Sequence, residues 1–345
     1  MDQNCQSGVS DKRPVEPSEA NGEQNGGKDK QANLAVSPVP KNISADGEKA
    51  DEEPGEILIN DVDAEELNFN HCRITKLENL NELKNIQRLY FRWNLIKKIE
   101  NLDSLTNLVE LELYDNQITS IENLDQLVNL EILDLAFNRI TEIKGLDKLV
   151  NLKKLFLSAN KISKIENLNG LKNLELLELG DNKIRKIENV EMLTNLTKLY
   201  FGKNKITKIE NLDTLTNLVV LSVQANRITK IENLSCLSNL DELYLSENGI
   251  TLIEGFEKNA KLTTIDLAYN KITTIPSLSH LPELQDLWLN NNEITSWKDI
   301  DNLSSNKKLE TLYLEHNPLA NTADYRRKVK LALPQLTQLD ATLLR

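Results

Sequence analysis

Side chains able to do covalent or acid–base chemistry are few and scattered along this chain. Its 345 residues hold three histidines, His71, His280 and His316, and three cysteines, Cys5, Cys72 and Cys236. An imidazole beside a thiol or hydroxyl would make a nucleophile, and grouped His and Cys would hold zinc. Neither grouping is offered: His71 and His316 stand near opposite ends of a long repeated region, and no Cys–His or Ser–His pair has an evident meeting place. Glu112 and Asp134 are better placed, because one repeat separates them. Two carboxylates about one strand spacing apart suit a retaining glycosidase pair. They would nevertheless lie on an open surface with no walls to exclude water, so no catalytic residue, metal ligand or cofactor is assigned.

A different set of residues is unusual for its position. In a recurring Leu-x-Leu segment the residue between the two leucines is, in chain order, Asn68, Tyr90, Glu112, Asp134, Phe156, Glu178, Tyr200, Ser222, Tyr244, Asp266, Trp288 and Tyr313. Six of these twelve are aromatic and four acidic, in a chain that is 5% aromatic. A side chain that only met water would need neither property. Aromatic residues are enriched at protein interfaces, where Tyr and Trp often dominate the binding energy, and carboxylates would meet Lys and Arg of a partner. Arg92 and Trp93, Tyr114 and Asp115, Phe137, Tyr269 and Asp286 widen the same surface. The competing explanation is a ladder of rings that only stabilises cross-strand packing.

The elements that position this column are set by a 22-residue period. Leu133-Asp134-Leu135-Ala136-Phe137-Asn138 returns at Leu155 to Asn160 and at Leu177 to Asn182. The closing Asn recurs from Asn94 to Asn292, a longer unit ends at Asn317, and an opening copy carries Cys72 in the Asn slot. Alternating leucines predict a short strand with its leucines inward. Ile118, Ile121, Leu124 and Leu127, three apart, predict 3₁₀ turns on the opposite side. A period in the twenties is the mark of a leucine-rich-repeat solenoid. The expected fold is thus an α/β solenoid: a leucine-rich-repeat arc with a parallel concave sheet, a 3₁₀-helical convex side and a C-terminal helical cap. The Asn column is expected to satisfy backbone groups freed where the chain turns out of each strand.

Three regions follow: a disordered acidic tail over residues 1–56, a solenoid of about twelve repeats over 57–317, and a cap over 318–345. The tail has no aromatic residue and is rich in Gly, Ser, Asn, Pro and charge. Within the cap, Asp324 to Leu331 has helical character and Pro334 stops it. Arg326-Arg327-Lys328 reads as a solvated helix face rather than an import signal. The net charge of −12 argues against a duplex-binding protein. No apolar segment follows Met1 and no run approaches a membrane span, so neither a secretory signal nor a membrane is expected. Unpaired cysteine spacing suits a reducing compartment. Asn195-Leu196-Thr197 and Asn233-Leu234-Ser235 match the glycosylation pattern but fall inside repeats, where chance explains them.

The unit Leu-x-x-Leu-x-Leu-x-x-Asn-x-Ile-x-x-Ile-x-x-Leu-x-x-Leu-x-Asn-Leu, seen around Lys208-Ile209-Glu210-Asn211-Leu212, resembles the short leucine-rich-repeat class. Asn317-Pro318-Leu319, Asp324-Tyr325-Arg326 and Leu333-Pro334-Gln335-Leu336 resemble that class's cap. Together they resemble, over about residues 57–345, the leucine-rich-repeat regulatory subunits of protein phosphatase 1. The resemblance implies a non-catalytic protein of nucleus and cytoplasm whose concave face grips the phosphatase catalytic subunit, with a separate inhibitor protein as a further partner. By position it implies binding residues at Asp134, Phe156, Glu178, Tyr200, Asp286, Trp288 and Tyr313. Six of these belong to the column above, and Asp286 precedes its strand's first Leu. No basic-x-Val/Ile-x-Phe/Trp docking segment is present, which favours docking through the solenoid face. The alternative is a general interaction scaffold for another intracellular partner.

Overall fold

Each repeat turns its backbone through a short strand, and the strands stack edge to edge. In the computed structural model, which describes residues 54–344, twelve three-residue strands run from β1 (Glu66–Asn68) to β12 (Thr311–Tyr313). Each pairs in parallel with its sequence neighbours, and a one-repeat step brings like positions together: Leu111 lies opposite Leu133, and Glu112 opposite Asp134. The middle residue of every strand is buried completely or nearly so, while its two neighbours lie on the other face. This is the alternation expected of a sheet with one face on the core. The expected tail lies outside the described residues except for its last three. Among those, Gly55 already forms a parallel bridge with Ile74, and Ile57 follows into the core.

The remainder of each coil brings Ile and Leu inward at three-residue steps. Leu102, Leu105 and Leu108 are fully buried, and Leu105 N–H donates to Leu102 O while Leu108 N–H donates to Leu105 O. These are 3₁₀-type bonds, but each closes a single turn and consecutive turns do not merge into a helix. Among the described residues a true 3₁₀ helix occurs only over Pro318–Asn321.

The Asn column does what its position predicts. Asn138 Oδ1 accepts the N–H of Ile118 at 2.9 Å in the preceding coil. Its Nδ2 donates to Leu113 O at 2.9 Å, also in that coil, and to Leu135 O and Ala136 O at 3.1 Å in its own. One amide thereby bonds backbone groups in two coils, among them the Ile118 N–H and the Leu113 and Leu135 carbonyls, which lie beyond the ends of the three-residue strands. At the first coil the Cys72 side chain makes one contact, its thiol donating to Asn70 O at 3.2 Å, while its N–H donates to Asn94 Oδ1 at 3.1 Å.

Two further asparagine ladders escaped the sequence reading. Asn101, Asn123, Asn167, Asn189, Asn211 and Asn233 adopt positive φ after the second Ile, and Asn123 Nδ2 donates to Ile99 O at 2.7 Å. Gly145 fills the same slot at φ 66°, where an added Cβ would lie 2.7 Å from Ile121 O. Asn and Gly are the residues that enter this left-handed region most easily. The third ladder lies before the strands, as in Asn129 Nδ2 to Thr106 O at 2.9 Å. The two glycosylation-pattern residues belong to these ladders: Asn195 donates to Lys172 O, and Asn233 to Ile209 O.

The last repeat is longer because it holds a helix, α1 (Lys298–Asp301). Beyond it, α2 (Tyr325–Ala332) forms where helical character was expected and ends before Pro334. Two short strands, β13 (Gln338–Leu339) and β14 (Thr342–Leu343), extend the sheet; β13 pairs parallel to β12, and β14 antiparallel to β13. Asp340 completes the closure. Its Oδ1 accepts the N–H groups of Leu314 and Glu315 at 2.8 and 2.9 Å, groups that a further coil would otherwise have to satisfy. Arg326 donates to Thr342 O, and Lys328 lies 4.9 Å over the Trp297 ring, so two of the three consecutive basic residues brace the cap.

The amide ladder predicts where truncation is costly. Asn160→Ala removes an acceptor for Ile140 N–H and a donor to Leu135 O, both buried. It should cost ~1–3 kcal/mol in urea unfolding, the penalty for stranding buried backbone groups. Asn151→Ala, whose single bond to Val128 O is exposed, should cost clearly less. Equal losses would remove the special role of the buried ladder.

Candidate protein-binding face

The column between the leucines lies on the open face of the sheet, in unbroken register. Asp134 stands beside Phe156, Phe156 beside Glu178, and Glu178 beside Tyr200 on successive strands. Ser222, Tyr244 and Asp266 follow, then Trp288 and Tyr313. Asp286 is the first residue of Trp288's strand, on the same face between Thr264 and Thr311. The seven expected residues therefore share one face but form two groups, four on consecutive strands and three near the C-terminal end.

These side chains are less exposed than the sequence suggests. Phe156, Glu178, Tyr200, Asp286, Trp288 and Tyr313 are half-buried, and Asp134 retains only 8% exposure. Strands ~4.8 Å apart bring neighbouring side chains against one another. Trp288 lies 6.1 Å from Tyr313 and 6.4 Å from Tyr244, ring centre to ring centre. The latter pair is two strands apart and meets because only the short Asp266 stands between. Tyr313 OH accepts a bond from Gln338 at 2.8 Å, whereas the indole N–H of Trp288 is buried without a partner.

Burial sets the electrostatics. Asp134 Oδ1 accepts the Ala136 N–H at 2.9 Å. Burial pushes its pKa up to about 6; the Ala136 bond and Arg92 oppose the shift, and Glu178 and Glu110 add to it. Asp266 is likewise raised to about 6 by burial, against bonds from Ser246 and Ala268. Glu178 is raised by burial despite its bond from Ser158. Burial pushes Tyr200 up to about 12, helped by Glu242 and Glu178. Glu112 is neutralised by Arg92, whose Nη2 approaches to 2.6 Å and Nε to 2.5 Å. Glu112 and Asp134 are indeed on adjacent strands, but one is tied into an ion pair and both lie on the open sheet face.

The most exposed aromatics were identified only as neighbours. Trp93, Phe137 and Tyr269 are 41%, 48% and 51% exposed. All occupy the position just before the ladder Asn, which has φ between 49° and 60° in every repeat from His71 to His316. That left-handed kink keeps the residue's N–H on the next strand, as in Phe137 N to Ser158 O at 2.8 Å, while swinging the Asn inward. The signal was present as a fixed offset from Asn, but period-2 reasoning ends with the strand. His71 stacks on Trp93 at 4.3 Å, and His280 on Phe256 at 6.1 Å, so these histidines sit in separate aromatic contacts. Among the described residues no His, Cys, Asp or Glu side chains group so as to hold a metal ion.

Comparison with known proteins matches this geometry to one repeat class. A leucine-rich-repeat family model matches residues 220–345, and a second, of paired leucine-rich repeats, matches overlapping windows from 106 to 236. The chain is 56% identical over 50 residues to human protein phosphatase 1 regulatory subunit 7; this match covers 14% of each chain. It is 57% identical over 53 residues to protein phosphatase 1 regulatory subunit SDS22 of Schizosaccharomyces pombe, covering 14% of this chain and 16% of that one. Aligned sequence thus spans about one seventh of these relatives' length. A Listeria monocytogenes internalin structure superposes with a TM-score of 0.65 at 26% identity, covering 81% of this chain and 87% of the internalin.

The raised carboxylate gives a pH test. Unfolded, Asp134 titrates near its ordinary 3.8; folded, near 6. Between these values the folded state holds the extra proton, so stability falls as pH rises, and the full cost is present above about 6. Asp134→Asn keeps an acceptor for Ala136 and removes that cost. It should stabilise the protein by ~1–3 kcal/mol at pH 7.5 and by much less near pH 4, in urea titrations. Equal effects at the two pH values would contradict the burial shift.

Proposed function

We propose that this leucine-rich-repeat protein, locally similar to regulatory subunits of protein phosphatase 1, is a non-catalytic subunit that binds the phosphatase catalytic subunit through its open sheet face. The observation that carries the reading is the aromatic and acidic column. It lies on the face that the leucine core and Asn ladder leave free, in a chain whose resemblance implies binding at those positions. Asp134, Phe156, Glu178, Tyr200, Asp286, Trp288 and Tyr313 are the assigned contacts. Any metal ions of the reaction would belong to the partner.

The geometry suits such a role in two ways. Trp288 and Tyr313 are already held by packing, so binding would immobilise few free rotamers, a cost that otherwise reduces affinity. Asp134 is a buried and Glu178 a half-buried carboxylate, and desolvation disfavours the charged form of each. A partner Lys or Arg placed against them would restore the favourable interaction that burial removes. Residence in nucleus and cytoplasm, and a ternary complex with an inhibitor protein, belong to the same proposal.

Titration of purified, metal-loaded catalytic subunit tests it. Trp288→Ala should weaken binding by ~2 kcal/mol or more, as for a buried aromatic hot spot. Glu178→Ala should weaken it with a component that shrinks at high salt. Lys164→Ala, exposed and paired with Glu166 away from the sheet, should bind normally. Full affinity in both sheet-face variants would overturn the assigned face. No binding by the unaltered protein would overturn the phosphatase reading and favour a scaffold for a different partner.

A further inference from the structure

A second surface stands apart from the Tyr244–Trp288–Tyr313 group. In the first four repeats the residues His71, Trp93, Tyr114 and Phe137 form one continuous row of rings. Successive ring centres lie 4.3, 5.6 and 4.9 Å apart, and the first pair is nearly parallel at 10°. Trp93 and Phe137 are largely exposed. The fold does not require rings at the slot of His71, Trp93 and Phe137, since Ala159 and Ala225 occupy it with φ of 51° each; in the third repeat Asp115 holds that slot and Tyr114 stands one place before it. Phe137 belongs to the coil of Asp134, and five strand spacings of roughly 4.8 Å, about 24 Å in all, separate that coil from Tyr244.

The chemistry of the row identifies what it would take. Arg92, while paired to Glu112, already places its guanidinium 5.9 Å from the centre of the Tyr114 ring. Asp115 and Asp134 both act on the Tyr114 hydroxyl, raising its pKa beyond the effect of burial. Aromatic faces flanked by carboxylates repel phosphate and attract cations. Among biological cations the planar guanidinium stacks on rings and forks onto carboxylates, whereas ammonium does neither as well. The row runs across the strands for ~15 Å, which an extended chain at ~3.3 Å per residue covers with about four or five residues.

We propose that His71, Trp93, Tyr114 and Phe137 form a docking surface for an extended, arginine-bearing segment of a protein partner, separate from the C-terminal aromatic group. The guanidinium groups stack over Trp93 and Phe137, and Asp115 neutralises them from the side.

The test uses the full-length protein and a fluorescein-labelled peptide of arginines alternating with glycines, with its lysine twin as control, in fluorescence anisotropy at physiological ionic strength. Saturable binding of the arginine peptide is expected, at least about fivefold tighter than the lysine twin, as stacking rather than net charge would give. Trp93→Ala and Phe137→Ala should each weaken it about fivefold or more, with unchanged thermal melting because alanine is native to that slot in other repeats. Trp93→Phe should retain most of the affinity. Trp288→Ala should bind the peptide normally even where it loses the phosphatase, so this proposal and the phosphatase reading fail separately. Equal affinity for the two peptides, absence of saturable binding, or full affinity in both alanine variants would overturn the inference.

Discussion

Every coil of this protein is too small to satisfy its own backbone, and the buried Asn amide resolves that shortage. Asn138 takes an N–H from the coil before it and returns two hydrogens, one to that coil and one shared within its own. Neither neighbour can fold without the other, so stability is a property of adjacent pairs. Leucine burial supplies the driving force, but burial alone tolerates sliding. The amide fixes the register, because its donors and acceptors meet partners only at a one-repeat step. The ends show the same constraint. Asp340 supplies the acceptor that a further coil would have had to provide, and Cys72, with no coil bonded beyond it in the ladder, manages with a weak thiol.

That skeleton determines where variation is free. The inward Leu, Ile and Asn positions have fixed chemistry, so the chain's individuality is confined to outward columns. One column projects from the strands and holds the half-buried aromatics and carboxylates from Asp134 to Tyr313. The other sits on the left-handed kink before each Asn and carries the exposed Trp93, Phe137 and Tyr269. The first column costs stability, since Asp134 and Asp266 are held in surroundings that disfavour their charge. A column serving only cross-strand packing would gain from neutral residues at those sites, and retained unfavourable charge fits a surface meant to meet a cation.

The sequence was most legible where spacing alone carried the physics. The 22-residue period, the alternating leucines and the Asn column specify strand, core and ladder, and each lies where its spacing places it. The 3₁₀ turns expected from the three-residue spacing are present as separate single turns, as at Leu102, Leu105 and Leu108. Reading failed where the outcome depended on backbone torsion or on neighbours across the sheet. The Asn123 and Asn129 ladders were hidden inside a motif that looked merely hydrophilic. Burial of Asp134 and the contact of Tyr244 with Trp288 over Asp266 depend on side-chain sizes two strands apart, which a single repeat does not encode. Six of the seven proposed contact residues lie in the column legible in the sequence, and the division of the seven into two groups emerges only in three dimensions.

The central claim is that the sheet face, and not the turns behind it, meets the phosphatase catalytic subunit. A photo-crosslinking benzophenone side chain introduced in place of Tyr200, and in a separate protein in place of Lys164, reads that contact directly. Irradiation with the purified catalytic subunit should give a covalent adduct from position 200 and none from position 164. An adduct from position 164 with none from position 200 would place the partner on the opposite side and contradict the account.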